Sequence, residues 1–475
     1  MYDIVIIGAG ITGTMLARKL SMYQLKIAVI DKANDIANGA TMANSAIIHT
    51  GYDPEEGTLK GKLNVLGAEQ YPSICRQLHC RYKVPGAWIA ACGAEEEKHL
   101  DLLAARADAR KIPYSFVTSE EAHALEPNLS AGVTKVLCFP STGIIYPWEV
   151  AIACMENAVN NGAELYLNST CRAIEKKDDH YIIRTDTGSF DTRWVVNAAG
   201  VYADEVYRMV SPEQNRFTMK PKRGEYYVLD QDVRLTDHII FPVPSSKGKG
   251  VLAVPTVYGN TLIGPDSTYT DSPEDTDGTR QGLAYVSENI RKTLDHVPLN
   301  RSIRTFAGLR PSSTSRDFII EEAADAPQFI NAASIESPGL ASAPAVADYI
   351  ISIISRKTHL EPDPEAVFTR EKPVVMNDLS DDEKNEMIRK NPLYGRIICR
   401  CERISEGEII DCIRRPCGAR SVKGVKKRVR PGMGKCQGGF CEPRIVNILA
   451  RELGITPLEV VLDSRSSSIL ESENR

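Results

Sequence analysis

The feature that most constrains this chain is a glycine turn placed directly after its first apolar segment. Residues 2–7 form a β-branched run that predicts a buried strand, and the sequence GAGITG follows at positions 8–13. A helical pattern comes next, and a second predicted strand over 26–30 ends in Asp31. Strand, glycine turn, helix and distal acid within about 30 residues predict a βαβ unit that binds a dinucleotide.

The residues of this unit have distinct expected roles. Gly8 permits the tight turn, Gly10 lets the backbone approach a pyrophosphate, and Gly13 allows the helix and strand to pack closely. Asp31 lies where a carboxylate would accept hydrogen bonds from a ribose, and the helix N-terminus offers amides and positive potential to phosphates. The unit by itself does not distinguish NAD from FAD.

Composition and charge exclude several classes of protein. The chain has 475 residues, 43% hydrophobic and 25% charged, so we expect two or three folded domains rather than disorder. A formal net charge of −5 provides no global field that would attract nucleic acid. No apolar stretch approaches the roughly 20 residues of a transmembrane helix, and the start lacks a signal-peptide pattern. We therefore expect a soluble, cytoplasmic protein with no nucleic-acid partner and no transmembrane segment.

Two later segments indicate further contacts with a nucleotide cofactor. Residues 193–204 read as a β-branched strand that runs into a small-residue turn, and residues 334–354 read as a loop before an amphipathic helix. The N-terminal amides of that helix would stabilise charge on a reduced flavin. For each segment alone, the alternative is an ordinary loop beside a core element. The predicted contacts are Ala199, Gly200, Ser337, Pro338, Gly339 and Leu340.

Several motifs together resemble the D-amino-acid-oxidase-like superfamily of FAD oxidoreductases. They are GAGITG, NSAIIHTG (44–51), VVNAAGVYAD (195–204), RGEYYVL (223–229), AGLRP (307–311) and ESPGLASAPA (336–345). Within the superfamily the chain looks most like glycerol-3-phosphate dehydrogenases and L-2-hydroxyglutarate oxidases, over most of residues 1–365. The resemblance implies FAD as cofactor, with Asn44 and Ser45 beside its ring. Asp31 is a departure, because many relatives carry Glu there.

The resemblance also implies the fold. We expect an α/β, Rossmann-like FAD-binding domain of the glutathione-reductase type, interleaved with an α+β substrate domain of mostly antiparallel sheet. The FAD-binding segments are expected at about 1–80, 145–220 and 300–365, and the substrate domain at about 81–144 and 221–299. Sequence patterns predict strands over 83–91, 225–229, 251–255 and 260–264, and a helix over 149–161.

The superfamily oxidises a C–H bond next to an amine or hydroxyl, which requires a base and, for an anionic substrate, a cationic clamp. His49 is the predicted base, although it would alternatively be only a contact to the flavin or the backbone. Arg310 is the predicted clamp, because a guanidinium binds phosphate or carboxylate in a fork; the alternative is a structural salt bridge. Secondary substrate-binding candidates, which are alternatively packing or surface residues, are Tyr52, Lys60, Arg223 and Tyr226.

The C-terminal part of the chain contains four cysteines in two pairs, Cys399 with Cys401 and Cys436 with Cys441. Four thiolates beside glycines suit a [2Fe–2S] cluster, with zinc as the alternative. The CRCE and GMGKCQGGFC sequences resemble the bacterioferritin-associated-ferredoxin-like [2Fe–2S] domain, which favours the cluster and implies a small α-rich domain. Cys412 and Cys417 lie outside the motif and are predicted not to be ligands.

The segments around this motif complete the predicted domain organisation. Residues 366–394 read as a polar linker, 395–455 as the [2Fe–2S] domain, and 456–475 as a C-terminal tail whose closing residues 465–475 are expected to be frayed. Residues 420–435 hold seven lysines and arginines without an acid. Such a run is usually a solvated face, but beside a cluster it would raise the reduction potential or dock an acidic partner.

A flavin tethered to a one-electron cluster is typical of a dehydrogenase that exports electrons. The same domain order resembles the large subunit of anaerobic glycerol-3-phosphate dehydrogenases, which implies oxidation of glycerol 3-phosphate or a related small anionic alcohol and redox partner subunits. The alternatives are an L-2-hydroxyglutarate or other 2-hydroxyacid dehydrogenase, an amino-acid or opine dehydrogenase subunit, and a non-catalytic electron-transfer subunit.

Overall fold

The predicted βαβ unit is present at the start of the chain. The computed structural model describes residues 1–214, 216–244 and 249–472. The unit consists of the strand Tyr2–Ile7, the helix Ile11–Leu20 and the strand Ile27–Ile30. Within the described ranges, no helix combines the length and apolar character needed to cross a membrane.

The first of two large sheets carries this unit. Tyr2–Ile7 pairs in parallel with Ile27–Ile30 on one side and with Gly188–Asn197 on the other. The strand Ile27–Ile30 and the segments 4–7 and 194–197 are continuously buried because both faces of the sheet are covered there. Its strands, in spatial order, are Cys171–Lys176, Tyr181–Thr185, Gly188–Asn197, Tyr2–Ile7, Ile27–Ile30 and Glu164–Tyr166, with Ala326–Ala333 paired to Gly188–Asn197 and Ile319–Ala323 paired to Ala326–Ala333.

The second large sheet is mostly antiparallel. Its strands, in spatial order, are Thr268–Tyr269, Lys222–Leu229, Thr261–Gly264, Leu252–Pro255, Ile239–Pro242, Ala87–Ala91, Lys135–Phe139 and Ser115–Thr118, with Ser302–Arg310 also paired to Lys222–Leu229. The chain passes repeatedly between the two sheets, so the predicted interleaving is confirmed. Ser302–Arg310 lies in this sheet although residues 300–365 are expected to belong to the FAD-binding part. Sequence order does not reveal which sheet a returning strand joins.

Helices cover both sheets and complete the C-terminal domain. They are Ile11–Leu20, Leu59–Ala68, Tyr71–Gln77, Ala94–Ala109, Ser119–Leu125, Pro147–Asn160, Ala203–Arg208, Arg280–Asn289, Gly339–Ile354, Asp381–Lys390, Glu406–Arg414, Val422–Val429 and Glu442–Leu453. The helix expected over 149–161 is therefore confirmed with bounds shifted by one or two residues.

One expected strand, over 83–91, is divided between two sheets. Tyr82–Lys83 joins a small sheet with Ile47–Ile48 and Gly143–Ile145, whereas Ala87–Ala91 belongs to the second large sheet. Pro85 and Gly86, which has a φ of 76°, separate the two parts. The prediction of one strand is wrong because this turn redirects the chain.

The C-terminal domain has its own core and packs on the rest of the chain. The short strands Ile397–Cys399 and Ile404–Ser405 and the last three helices enclose a separate apolar cluster. The predicted linker is not a free tether, because Arg370 is buried and forms an ion pair with Glu156 at 2.5 Å. The predicted C-terminal tail is packed as well, because Asp463 accepts hydrogen bonds from Asn34 and Asn38. Within the closing stretch that is expected to be frayed, Ser468 forms a β-bridge with Val461.

Candidate functional site

A cavity of about 1810 Å³ lies where the two large sheets and the C-terminal domain meet. The glycine turn, the end of the second strand, residues 38–47 and the start of the helix Gly339–Ile354 line one part of it. Lys426, Gly438 and Cys441 of the C-terminal domain line another part. The predicted cofactor-binding segments therefore face the same space as the predicted cluster domain.

The glycine turn leaves no room for side chains at two positions. Gly8 has a φ of 114°, and a Cβ there would lie 2.3 Å from the Ala198 carbonyl oxygen. A Cβ on Gly13 would lie 2.0 Å from the Gly8 carbonyl oxygen. Gly10 lines the cavity at the N-terminus of the first helix, where backbone amides are available to an anion. This geometry fits the pyrophosphate of a dinucleotide.

Asp31 lies at the end of the second strand and lines the cavity. Its carboxylate accepts backbone N–H bonds from Ala9 at 2.6 Å and Ala33 at 2.7 Å. Burial raises the pKa of Asp31, and these two bonds only partly oppose that effect. The position agrees with the expected ribose contact, and the bonds to the turn hold the carboxylate in place.

The remaining predicted cofactor contacts also border the cavity. Asn44 uses its side chain within its own loop, donating to the Ala40 and Thr41 carbonyls and accepting from the Ala46 N–H. It therefore shapes the loop beside the cavity. The other predicted cofactor contacts all line the cavity as well; they are Ser45, Ala199, Gly200, Ser337, Pro338, Gly339 and Leu340.

His49 lies in the cavity wall directly after the strand Ile47–Ile48. Its side chain is buried, and its Nδ1 has no hydrogen-bond partner in the described part of the chain. Burial, with a further contribution from the nearby Lys249 cation, holds the pKa of His49 well below its usual value. The imidazole is therefore neutral at physiological pH and able to accept a proton.

Arg310 presents an uncompensated positive charge to the cavity. Its guanidinium donates to the Asp266 carbonyl at 3.3 Å and to the Ser267 hydroxyl at 3.4 Å. Among the described residues, Arg310 has no carboxylate partner. The structure therefore does not support the alternative that Arg310 forms a structural salt bridge. Tyr226 also lines the cavity and shares a hydrogen bond of 3.1 Å with Ser45.

The other secondary candidates differ in their access to the cavity. Lys60 borders it and forms an ion pair with Glu336 at 3.4 Å. Tyr52 does not line it, because its ring is buried and stacked on Phe139 with centroids 3.9 Å apart. Arg223 does not line it either and is held by Asp275 at 2.5 Å. The structure does not bring Tyr52 and Arg223 to the site.

Lys249 is a cavity residue that the sequence interpretation missed. It follows the segment 245–248, which lies outside the described residues, and its Nζ is buried 3.2 Å from Asp53. Its effect on the pKa of His49 shows that the two side chains are close. A lysine in a glycine-rich and serine-rich stretch carries no sequence signal, so only the fold identifies it.

The four predicted cluster ligands meet in two pairs. The Sγ atoms of Cys401 and Cys436 are 3.6 Å apart, and Cys399 is hydrogen-bonded to Cys441. That bond, aided by backbone N–H groups, lowers the pKa of Cys399 to about 6. No group of three or more His, Cys, Asp and Glu side chains in the described chain is arranged around a single ion. Two pairs of thiols fit a [2Fe–2S] cluster, in which each iron takes two cysteines.

The surroundings of these thiols also fit a cluster. A Cβ on Gly434 would lie 2.4 Å from the Cβ of Cys401, so the glycine is required by close packing of the two loops. Cys412 is buried and donates to the Ile409 carbonyl. Burial raises the pKa of Cys417 to about 12. Both remain predicted non-ligands.

The basic run 420–435 is not a solvated face. Lys427 and Arg428 are buried and form ion pairs with Asp35, at 2.9 and 2.8 Å, just beyond the second strand. Arg430 forms an ion pair with Glu402 at 2.9 Å, and Lys435 with Asp232 at 2.9 Å. Most of these basic residues therefore attach the C-terminal domain to the rest of the chain. The buried ones, Lys427, Arg428 and Arg430, are not available to bind an acidic partner.

Comparison with known proteins agrees with this arrangement. The model of the FAD dependent oxidoreductase family matches residues 3–353, and that of the BFD-like [2Fe-2S] binding domain matches residues 397–451. A glycerol 3-phosphate dehydrogenase from Caloramator mitchellensis is 46% identical over 99% of this chain and 98% of its own length. An L-2-hydroxyglutarate dehydrogenase from Escherichia coli is 29% identical over 62% of this chain and 67% of its own length.

A solved structure shares the fold of the larger part of the chain. It is the dithionite-reduced L-alpha-glycerophosphate oxidase from Mycoplasma pneumoniae with FAD bound. The TM-score is 0.75 at 27% identity, and the match covers 79% of this chain and 99% of that chain. The match to a family model over most of the chain, together with both domains in one relative, establishes the family.

Proposed function

The chain belongs to the family of FAD dependent oxidoreductases and ends in a BFD-like [2Fe-2S] binding domain, and on that premise we propose that it oxidises glycerol 3-phosphate to dihydroxyacetone phosphate. The observation that carries this is the similarity to a glycerol 3-phosphate dehydrogenase through both domains. The two electrons leave through the cluster to an acceptor or partner subunit, because a direct oxidase has no need of the second domain.

The residues of the cavity have roles that follow from their geometry. When bound, FAD takes a hydride from the carbon that carries the substrate hydroxyl. His49 accepts the hydroxyl proton, since its imidazole is neutral and the residue lies in the cavity wall. Arg310 holds the phosphate in its guanidinium fork. Lys249, whose Nζ is buried 3.2 Å from Asp53, acts on the site by lowering the pKa of His49.

The same proposal covers location and partners. All twelve cysteines are free, which agrees with a reducing compartment, and we place the protein in the cytoplasm. Its partners are the small anionic substrate and one or more redox proteins that take electrons from the cluster.

Anaerobic titration of the purified protein distinguishes the candidate substrates. Glycerol 3-phosphate is expected to bleach the visible flavin band rapidly, whereas L-2-hydroxyglutarate is not. If only L-2-hydroxyglutarate bleaches the flavin, the substrate is a 2-hydroxyacid and the proposal of glycerol 3-phosphate is wrong. Bleaching by neither, with both cofactors present, would favour an electron-transfer subunit.

A cluster variant tests the second half of the proposal. Cys436→Ser is expected to lose iron and the cluster absorbance but to keep flavin bleaching by substrate, because the FAD-binding turn is formed by other residues. Cys412→Ala is the matched control and is expected to keep its iron. Retained iron in Cys436→Ser would overturn the ligand assignment.

A further inference from the structure

The predicted cluster has an inner side and an outer side. Cys441 is buried and lines the cavity shared with the FAD-binding turn, whereas Cys401 is exposed to solvent. With FAD held at the glycine turn, electrons would reach the cluster from the cavity side, where Cys441 lies. The solvent side at Cys401 is therefore the place where an acceptor comes closest to the iron atoms.

An exposed aromatic residue lies beside the ligand Cys436, which receives a backbone hydrogen bond from Phe440 and whose Sγ is 3.6 Å from that of the exposed Cys401. Phe440 immediately precedes the ligand Cys441 and is 81% exposed, more than any other large apolar side chain in the described chain. Two glycines precede it, so adjacent side chains do not cover it. A single phenyl ring projecting from a polar surface is the kind of anchor that a protein partner buries at the centre of an interface.

Three arginines surround the same ligands in sequence. Arg400 stands between Cys399 and Cys401, Arg403 follows two residues later, and Arg444 lies one helical turn after Cys441. All three are exposed, and within the described ranges none forms an ion pair. We call Phe440 and these three arginines the cluster rim.

Among the acidic groups near the rim, Glu442 is half-buried and lines the cavity, and the others are paired with basic side chains. Glu402 is nearly buried and paired with Arg430. Asp230 and Asp232 both form ion pairs with Lys435. Because its charge is compensated, Lys435 is not part of the cluster rim. Residues 395–455 as a whole contain fourteen lysines and arginines against six acidic residues, in a chain whose net charge is −5. The rim is therefore a local positive surface on an acidic protein.

We infer that the cluster rim is the docking surface for an acidic, one-electron carrier protein, with Phe440 inserted into an apolar recess of that partner. This inference rests on the proposed function. In each encounter the partner gains one electron and the cluster loses one. Two encounters thus remove the two electrons released by one substrate molecule, and no further oxidant is needed. Opposite charges steer the encounter, and the exposed ligand sets a short transfer distance.

A membrane surface is the other class of ligand that basic and aromatic residues would fit. The position of the rim around an exposed cluster ligand favours a protein, because electron transfer requires an acceptor there. One aromatic ring with three arginines also buries too little apolar area for stable attachment to lipid.

The test uses protein reduced beforehand with stoichiometric dithionite, so its outcome does not depend on the substrate. The probe is plastocyanin, an acidic blue-copper protein, mixed rapidly with the reduced full-length chain. Replacing the three arginines together, R400Q, R403Q and R444Q, is expected to lower the second-order rate about tenfold and to flatten its decrease with salt. Phe440→Ala is expected to lower it about fivefold.

Matched controls separate docking from damage. Arg420→Gln removes an exposed arginine of the same domain that is remote in sequence from every ligand, and it is expected to leave the rate unchanged. Each variant must keep the cluster spectrum and the unfolding temperature of the wild type.

Two results would overturn the inference. One is an unchanged plastocyanin rate in both rim variants. The other is a pair of findings on Phe440→Ala. If the wild type sediments with phosphatidylglycerol vesicles and Phe440→Ala does not, while both proteins reduce plastocyanin at the same rate, the rim is a lipid contact. A failure of glycerol 3-phosphate to bleach the flavin would overturn the proposed function alone.

Discussion

At the scale of single residues, the cavity combines a neutral base with an arginine, Arg310, that has no carboxylate partner among the described residues. His49 is neutral because burial disfavours its charged form, and the Lys249 cation adds to that effect. Arg310 lines the same cavity, where its guanidinium donates to the Asp266 carbonyl and the Ser267 hydroxyl. A site of this kind can accept a proton from the hydroxyl of a substrate while its arginine binds an anionic group, such as a phosphate, on the same substrate.

The pH dependence of His49 follows from the direction of its pKa shift. A base must be deprotonated to act, so kcat/KM is expected to stay level as the pH falls through the ordinary histidine range and to decline only below it. His49→Asn is expected to lower kcat by about 100-fold or more and to remove that acid limb. A pH–rate profile of both proteins checks this. An acid limb that persists in the variant would assign the proton transfer to another group.

Replacement of Arg310 tests the anion clamp. Arg310→Met is expected to lower kcat/KM for glycerol 3-phosphate by about 100-fold, because a charged hydrogen-bonding partner of the phosphate is lost. FAD content is expected to stay the same. Arg310→Lys is the matched variant and should recover part of the loss, since it keeps the charge without the fork. Turnover equal to the wild type in Arg310→Met would remove this residue from the site.

At the scale of elements, the helix Val422–Val429 attaches the C-terminal domain to the loop after the second strand. Burial alone would raise the pKa of Asp35, but Arg428 and Lys427 outweigh that effect and hold it well below the usual range. Lys427 also donates to the Ile36 carbonyl and the Asn38 side chain. The loop that follows the predicted ribose-binding residue is thus held by the domain that carries the cluster.

Loss of this contact is expected to be costly. Asp35→Asn leaves two buried cations without their anion and should lower the free energy of unfolding by about 3 kcal/mol. The wild-type contribution is present above the ordinary carboxyl pKa of about 4 and disappears as the pH falls toward the lower pKa of the folded state. Thermal unfolding of both proteins between pH 7 and acid conditions measures it.

An exposed ion pair between the same parts of the chain provides the control. Lys435→Gln removes the pairing with Asp232, in which the lysine side chain is 61% exposed, and should leave the unfolding temperature nearly unchanged because solvent screens the pair. Equal losses in the two variants would contradict the assignment of the buried pair as the main attachment.

At the scale of the whole molecule, Arg430 links the cluster loops to the wall of the cavity. It has a φ of 71°, forms an ion pair with Glu402 beside the ligand Cys401, and donates to the Tyr146 hydroxyl at 3.0 Å. Its guanidinium also stacks on the Tyr258 ring at 3.8 Å. Tyr146 lines the cavity, so one side chain holds both cofactor regions.

Arg430 is therefore expected to act as a positioning residue in electron transfer between the two cofactors. Arg430→Met should leave flavin bleaching by substrate unchanged but slow the later change in cluster absorbance several-fold, because the distance between the sites is no longer fixed. Stopped-flow spectra at the two bands separate the steps. Arg430→Lys, which keeps the charge, is expected to show a smaller effect. Equal rates for both steps in wild type and Arg430→Met would contradict the role.

Short-range patterns were sufficient for the local parts of this protein. The glycine turn and the paired cysteines are recognisable because a tight turn and a ligand spacing are encoded by neighbouring residues. The strand predicted over 83–91 is divided in the structure because the chain turns at Pro85 and Gly86. The basic run 420–435 was predicted to be a solvated face, but several of its residues are buried in ion pairs. The sequence does not show this, because the partners Asp35 and Glu402 lie far away in sequence.

The sequence by itself determined the family, the two cofactor-binding units and most of the residues that face the cavity. Tertiary structure alone decided which candidates share one space: it excluded Tyr52 and Arg223, added Lys249, and placed the cluster domain against the FAD-binding turn. The physical reason is that backbone turns and ligand spacings depend on local geometry. Burial, charge compensation and the approach of one domain to another depend on residues brought together only by folding.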